Sequence, residues 1–169
     1  MKLERAKGTR DFPPEDALLR QHILTVLKRK FEAFGFNPIE TPVLERFETL
    51  SAKYAGGSEI LKETFKVEDQ GERDLGLRYD LTVPFSRFVA MHPNLKMPFK
   101  RYQYGPVFRD GPIKLGRYRE FWQCDCDVVG TKNIAADAEC IQLFLHCFEE
   151  LGLDVRVRVN NRKILDALM

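Results

Sequence analysis

Between Arg109 and Asp127 the chain reads RDGPIKLGRYREFWQCDCD, with arginines at 109, 117 and 119 around a short Gly/Pro loop and acids at the far end. Side chains alternate faces along a strand. An extended 117–127 therefore sets Arg117, Arg119, Phe121, Gln123, Asp125 and Asp127 on one face, and Tyr118, Glu120, Trp122, Cys124 and Cys126 on the other. The first face runs from cations through a flat ring and an amide to carboxylates. That order suits a ligand with phosphates at one end, a base in the middle and a cationic group at the far end. Arginine serves a phosphate well because its planar fork donates two hydrogen bonds and stays charged. A second polar face lies on the strand expected over 75–82, where Arg78, Asp80 and Thr82 point together and Leu77, Tyr79 and Leu81 point inward. A carboxylate beside a hydroxyl can hold an ammonium group. Taken alone, this strand is an ordinary half-exposed polar face.

The elements that must position these residues follow from periodicity and punctuation. Leu19, Ile23, Leu27, Phe31 and Phe34 recur at helical spacing, which predicts a helix over Glu15 to Phe34 that opens at Pro14 and stops at Gly35. Asn37 to Leu44 is extended, and Pro42 confines it to a sheet edge or ends it there. Glu45 to Tyr54 reads as a short helix and Ala55 to Ser58 as a flexible loop. Strands over Thr64 to Glu68 and Leu75 to Thr82, joined through Asp69-Gln70-Gly71, form an antiparallel hairpin. Pro84 opens a helix over Phe85 to Met91. Phe99 to Arg109 and Arg117 to Val129 are the strands on either side of the arginine loop. Ile134 to Leu151 is an amphipathic helix, the Val155, Val157 and Val159 alternation predicts a strand, and Asn161 caps a last helix over Arg162 to Leu168. Antiparallel strands with helices grouped between them make the fold class α+β, an antiparallel β-sheet flanked by helices.

A chain of 169 residues supports one domain with a real core, and 13 phenylalanines against one tryptophan make that core Phe-rich. A net charge of +2 gives no global field for nucleic acid, and Lys28-Arg29-Lys30 reads as a solvated helix face. No apolar run approaches the roughly 20 residues that cross a bilayer, so the chain reads as cytoplasmic, with no membrane partner. Cysteines at 124, 126, 140 and 147 lack the paired spacing of a zinc site and read as reduced, mostly buried thiols, with no metal.

The segment YGPVFRDGPIKLGRYREFWQCDCDVVG resembles motif 2 of a class II aminoacyl-tRNA synthetase, and specifically of the histidyl-tRNA synthetase family. GTRDFPPEDALLRQ, over 8–21, resembles that family's N-terminal signature. LRYDLTVPFSRFVAM, over 77–91, resembles its amino-acid-binding strand in the archaeal and eukaryotic form. The resemblance implies a class II catalytic core, a dimer built on the first helix and its Pro-containing strand, and the activation of histidine with ATP and Mg2+ before transfer to tRNA(His). It implies that Arg109 meets the α-phosphate, that Arg117 meets the outer phosphates and that Phe121 stacks on adenine. It implies that Asp80, Thr82 and Gln123 hold the α-amino group of histidine, with Asp127 at the imidazole. Arg119 shares the face and is equally placed to pair with an acid such as Asp125. Where many class II members carry an adenine-contacting glutamate, this chain has Gly111. The third motif and the anticodon-binding domain have no counterpart after Asn161, so residues 1–169 read as a partial catalytic domain. The competing reading is a non-catalytic histidine-binding paralogue resembling the regulatory subunit of ATP phosphoribosyltransferase.

Overall fold

The structure is a computed structural model that describes residues 2–52 and 59–167. Helix α1 (Pro14–Ala33) is followed by β1 (Asn37–Pro38), β2 (Leu44–Arg46), α2 (Phe47–Ala52) and α3 (Glu59–Lys62). Then come β3 (Lys66–Glu68), β4 (Asp74–Leu77), α4 (Thr82–Met91), β5 (Phe99–Phe108), β6 (Glu120–Val129), α5 (Ala135–Glu150) and α6 (Arg162–Asp166). One sheet has the order β1-β5-β6 and the other β2-β4-β3. The expected α+β class holds. The loop expected at Ala55 to Ser58, the end of the helix expected to reach Tyr54, and Leu168 lie outside the described residues.

Helix α1 ends where its sequence says it should. Gly35 takes φ +75°, a conformation that costs glycine little. Its amide donates to the Glu32 carbonyl at 3.0 Å, and the Phe36 amide reaches back to the Phe31 carbonyl at 2.9 Å. This paired closure satisfies the last carbonyls and turns Phe36 onto Phe31. Those two rings join Tyr102 of β5 and Leu143 and Cys147 of α5 as the buried core, with Cys124 and Cys126 of β6 packed against it. Thus α1 and α5 cover one face of the β5–β6 ribbon, and the opposite face is left for the site. Lys28 and Arg29 are exposed, as expected of a solvated face, and Arg29 and Lys30 also pair with Glu150 of α5 and tie the two helices together.

The long hairpin is as expected in kind. β5 and β6 run antiparallel, with Arg101 opposite Asp127, Gln103 opposite Asp125, Gly105 opposite Gln123 and Val107 opposite Phe121. β1, the Pro-containing segment, adds to β5 in parallel and forms the edge. The β3–β4 hairpin also forms, its turn closed by Asp69, whose carboxylate accepts from the amides of Gly71 (2.9 Å) and Arg73 (3.1 Å).

Three expectations need correction. First, β4 ends at Leu77 rather than Thr82. Asp80 Oδ1 accepts from the Val83 amide at 2.9 Å, so the chain is already entering α4, and Leu81 is wholly buried. Strand alternation therefore does not govern Asp80 and Thr82. Second, β6 begins at Glu120 rather than Arg117. Gly116 at φ +76° and a tight Lys114–Arg117 bridge keep the preceding residues in the loop. Third, 153–160 forms no strand, and Val155, Val157 and Val159 stay exposed. Alternation supplies a sheet face, but a strand also needs a ladder partner, and no described strand lies alongside. Asn161 does cap α6, its Oδ1 accepting from the Lys163 amide at 2.9 Å.

Candidate nucleotide and amino-acid site

The arginine loop is held from three sides. The Arg109 amide donates to the Arg119 carbonyl at 2.8 Å, extending the hairpin beyond its regular pairs. The Arg119 amide donates to the Gly8 carbonyl at 2.8 Å, and the Asp110 amide to the Glu63 carbonyl at 2.7 Å. The N-terminal arm and the segment after α3 thus both grip the loop. Arg119 pairs with Asp110 at 3.0 Å, not with Asp125, so it stabilises the loop's base.

Arg109 leaves the end of β5 with its guanidinium between two rings, 4.3 Å from the Tyr79 centroid and 4.9 Å from that of Phe121. Its Nε donates to the Tyr79 carbonyl at 3.4 Å. Cation–π contact and a backbone acceptor together fix the direction of the fork. Arg117, Tyr118 and Glu63 complete a cleft of about 180 Å³ with these residues. The three residues expected at the nucleotide, Arg109, Arg117 and Phe121, are therefore brought together.

Glu63 escaped the sequence reading. A Cβ built on Gly111 would lie 2.8 Å from one Glu63 carboxylate oxygen and 3.2 Å from the other. The acid thus fills the space that a side chain at 111 would need. Glu63 Oε2 accepts from the Tyr79 hydroxyl at 3.0 Å.

The acidic end lies along the same face of β5–β6. Gln123, Asp125 and Asp127 project there, joined by Asp80 from the turn before α4. Thr82 is half-buried at the head of that helix, with its carbonyl accepting from the Ser86 hydroxyl. Arg101 of β5, which the sequence does not single out, lies opposite Asp127 on this face. Arg101 is wholly buried, 4.3 Å from the Phe85 centroid, and ion-paired with Asp127 through Nη2 and Oδ2. Its Nε and Nη1, like Gln123 Oε1, have no hydrogen-bond partner among the described residues. Burial pulls the Arg101 guanidinium below its usual range, with Asp127, Asp125 and Asp80 opposing the shift. Burial raises the Asp125 carboxyl, Arg101 pulls it down, and Asp127 and Asp80 push it further up. Beneath Asp125, Gln103 and Thr41 hydrogen-bond each other at 2.9 Å.

Arg78, expected on the ligand face, is structural. It is buried and donates to the carbonyls of Thr41 and Pro106, each at 2.8 Å. Gly105 makes room for it, since a Cβ there would meet an Arg78 nitrogen at 2.5 Å. The cysteines are all free, and Cys124 and Cys126 face the helices, away from the site. Burial pushes both thiols up to about 12.

Comparison with known proteins gives this geometry a lineage. The model of the family described as histidyl-tRNA synthetase matches residues 8–169. The chain is 50% identical over 169 residues to histidine–tRNA ligase 1 of Bacillus thuringiensis subsp. konkukian, covering 100% of itself and 40% of that protein. It is 49% identical over 161 residues to the histidine–tRNA ligase of Aeropyrum pernix, covering 94% of itself and 37% of that protein. Among solved structures it resembles histidyl-tRNA synthetase from Nostoc sp. PCC 7120, with TM-score 0.75 and 35% identity over 88% of this chain and 34% of that one. It also resembles a Bacillus halodurans protein described as an ATP phosphoribosyltransferase regulatory subunit/histidyl-tRNA synthetase, with TM-score 0.79 and 29% identity over 89% of this chain and 38% of that one. The chain thus spans about 40% of the length of the curated relatives it matches. A family model that takes in the arm at Gly8, the Asp80 turn and the arginine loop alike makes the chain a member of the histidyl-tRNA synthetase family.

Proposed function

We propose that this chain carries the ATP-clamping and histidine-holding part of a histidine-activating site. In the reaction, the histidine carboxylate attacks the α-phosphorus of ATP. A P–O bond forms, the bond to pyrophosphate breaks, and histidyl-adenylate is left for transfer to tRNA(His). The observation that carries the reading is the fixed Arg109 guanidinium in a cleft shared with Arg117 and Phe121. Negative charge grows on the α-phosphoryl oxygens during attack, and a preorganised cation there is worth about 3 kcal/mol. The attacking carboxylate is ionised at neutral pH, so no side chain needs to take a proton. Arg117 meets the outer phosphates and Phe121 stacks on adenine. Glu63 offers a carboxylate oxygen to the adenine amino group. Asp80, Thr82 and Gln123 hold the α-ammonium, and Asp127 accepts from the imidazole N–H.

Magnesium suits this site as a companion of the phosphates. Glu63 is the carboxylate that lines the cleft, and among the described residues no group of three or more His, Cys, Asp or Glu side chains could hold a metal ion. Bound there, Mg2+ would offset phosphate charge while the arginines orient the chain of phosphates. No described helix is long and apolar enough to cross a membrane. We place the chain in a homodimer, because Tyr104, Trp122, Leu18 and Leu19 are exposed apolar groups around α1 and the hairpin. A concentration-independent monomer in sedimentation would contradict the dimer.

Titration with ATP and with histidine, each followed by calorimetry, tests the reading. Saturable binding of both, with ATP lost in Arg109→Ala, supports it, and no binding of ATP at millimolar concentration contradicts it. A second reading, a histidine-binding paralogue without catalysis, draws on the mixed description of the Bacillus halodurans structure. Histidine binding without pyrophosphate exchange favours that one.

A further inference from the structure

A wholly buried arginine is an expensive thing to keep. Desolvation opposes its charge, and pairing it with an acid is often no better for stability than an apolar replacement. Arg101 also leaves Nε and Nη1 without hydrogen-bond partners among the described residues. A buried arginine so placed points to a role beyond holding the fold.

What surrounds it supplies that role. Asp127 and Asp125 face it from β6 and Asp80 from the turn before α4, while the Phe85 ring covers it from α4. Asp127 also lines a cleft with Cys126, Cys140, Lys132 and Asp137. Carboxylates crowded together share protons unless a cation holds them apart. A protonated carboxyl donates a hydrogen bond, whereas an ionised one only accepts. Arg101 has no exposed surface and so cannot meet a ligand, but the Asp127 side chain that it grips is 36% exposed. The ion pair engages Oδ2, which is itself buried, and this leaves Oδ1 as the oxygen a ligand can use.

We propose that Arg101 is the positioning residue of the histidine pocket, fixing Asp127 as an anionic acceptor and so setting the pocket's demand for a ring N–H donor. The inference rests on the histidine reading above for the identity of the ligand. The planar guanidinium matters as well as the charge, because it lies over Phe85 while reaching Asp127. Lysine keeps the charge without the fork.

The test compares Arg101→Met and Arg101→Lys with the unsubstituted chain. Histidine and ATP dissociation constants are measured by calorimetry at pH 7, and the Asp125 carboxyl is followed by carbon NMR without ligand. In Arg101→Met the histidine constant is expected to rise at least tenfold while that for ATP stays within twofold, and the Asp125 midpoint moves to higher pH. Arg101→Lys recovers part of both effects. On an Asp127→Asn background, Arg101→Met adds little to the loss of histidine binding, because it acts through the acid already removed. Parallel loss of ATP and histidine, or an unmoved Asp125 midpoint, overturns the proposal. If Arg101→Met does not fold, Arg101→Lys decides: selective loss of histidine supports the role and unchanged histidine binding overturns it. A chain that binds no histidine at all defeats the histidine reading, and the Asp125 midpoint then still judges Arg101 as the organiser of the acids.

Discussion

Arg119 crosses the space in front of Gly8: a Cβ built on that glycine would lie 2.7 Å from Arg119 Cγ, while the Arg119 amide donates to the Gly8 carbonyl at 2.8 Å. The arm and the arginine loop are therefore fitted to each other, and the fit depends on a missing side chain. Gly8 also sits at φ +86°, where other residues are strained.

Gly8→Ala is expected to destabilise the chain by about 1–3 kcal/mol, the usual cost of a residue held in a sparsely populated backbone region. Because Arg119 anchors Asp110 and the carbonyl that receives the Arg109 amide, ATP binding should weaken several-fold as well. Thermal unfolding and ATP calorimetry on the same sample check both effects. Full stability with unchanged ATP affinity would show that the arm does not brace the loop.

Glu63 stands over Gly111 with one carboxylate oxygen on the Tyr79 hydroxyl. Adenine presents an amino donor where guanine presents a carbonyl oxygen. A carboxylate accepts from the first and repels the second. Glu63→Gln is expected to narrow the preference for ATP over GTP by about tenfold, the order of one hydrogen bond to a charged group. Competition calorimetry with the two nucleotides reads this, and an unchanged ratio removes Glu63 from base recognition.

Cys124 and Cys126 should resist alkylation. With both thiols pushed up to about 12 by burial, roughly one part in ten thousand is thiolate at pH 8. Iodoacetamide at that pH should leave both unmodified in the folded chain and label all 4 free cysteines after denaturation, as read by mass spectrometry of peptides.

Asp125 gives stability a pH dependence of known sign. Burial raises its folded midpoint above the ordinary carboxylate value near 3.9, so between the two midpoints the folded chain binds more protons than the unfolded one. Stability from this group is fully present below the unfolded midpoint and is lost as pH rises through the folded one. Asp125→Asn lacks the effect. Denaturant unfolding of both chains over this range should show the unsubstituted chain losing stability relative to the variant as pH rises. An opposite slope would mean that Arg101 outweighs burial.

The residues most legible in the sequence are those whose neighbours are local. Gly35 closes α1, Asp69 closes the β3–β4 turn and Asn161 caps α6, because each device spans only a few residues. The hairpin face from Phe121 to Asp127 was legible for the same reason, since alternation alone places it. Asp80 was misread as part of a strand because an acid three residues before Val83 serves equally as a helix cap. Glu63 and Arg101 were missed because their roles arise from contacts across the sheet and between segments. Glu63 is recognised only against Gly111, and Arg101 only through its register with Asp127. Val155 to Val159 shows the converse, a strand pattern without a partner to pair with.

The central proposal is that Arg109 and its neighbours supply the ATP-clamping and histidine-holding part of a histidine-activating site. ATP–pyrophosphate exchange, measured with each of the common amino acids in turn and with Arg109→Ala as control, tests it most directly. The expected result is exchange with histidine alone, reduced at least a hundredfold in the control, the order of a lost oxyanion donor. Exchange that persists in Arg109→Ala, or that is absent with histidine while ATP and histidine both bind, would contradict it.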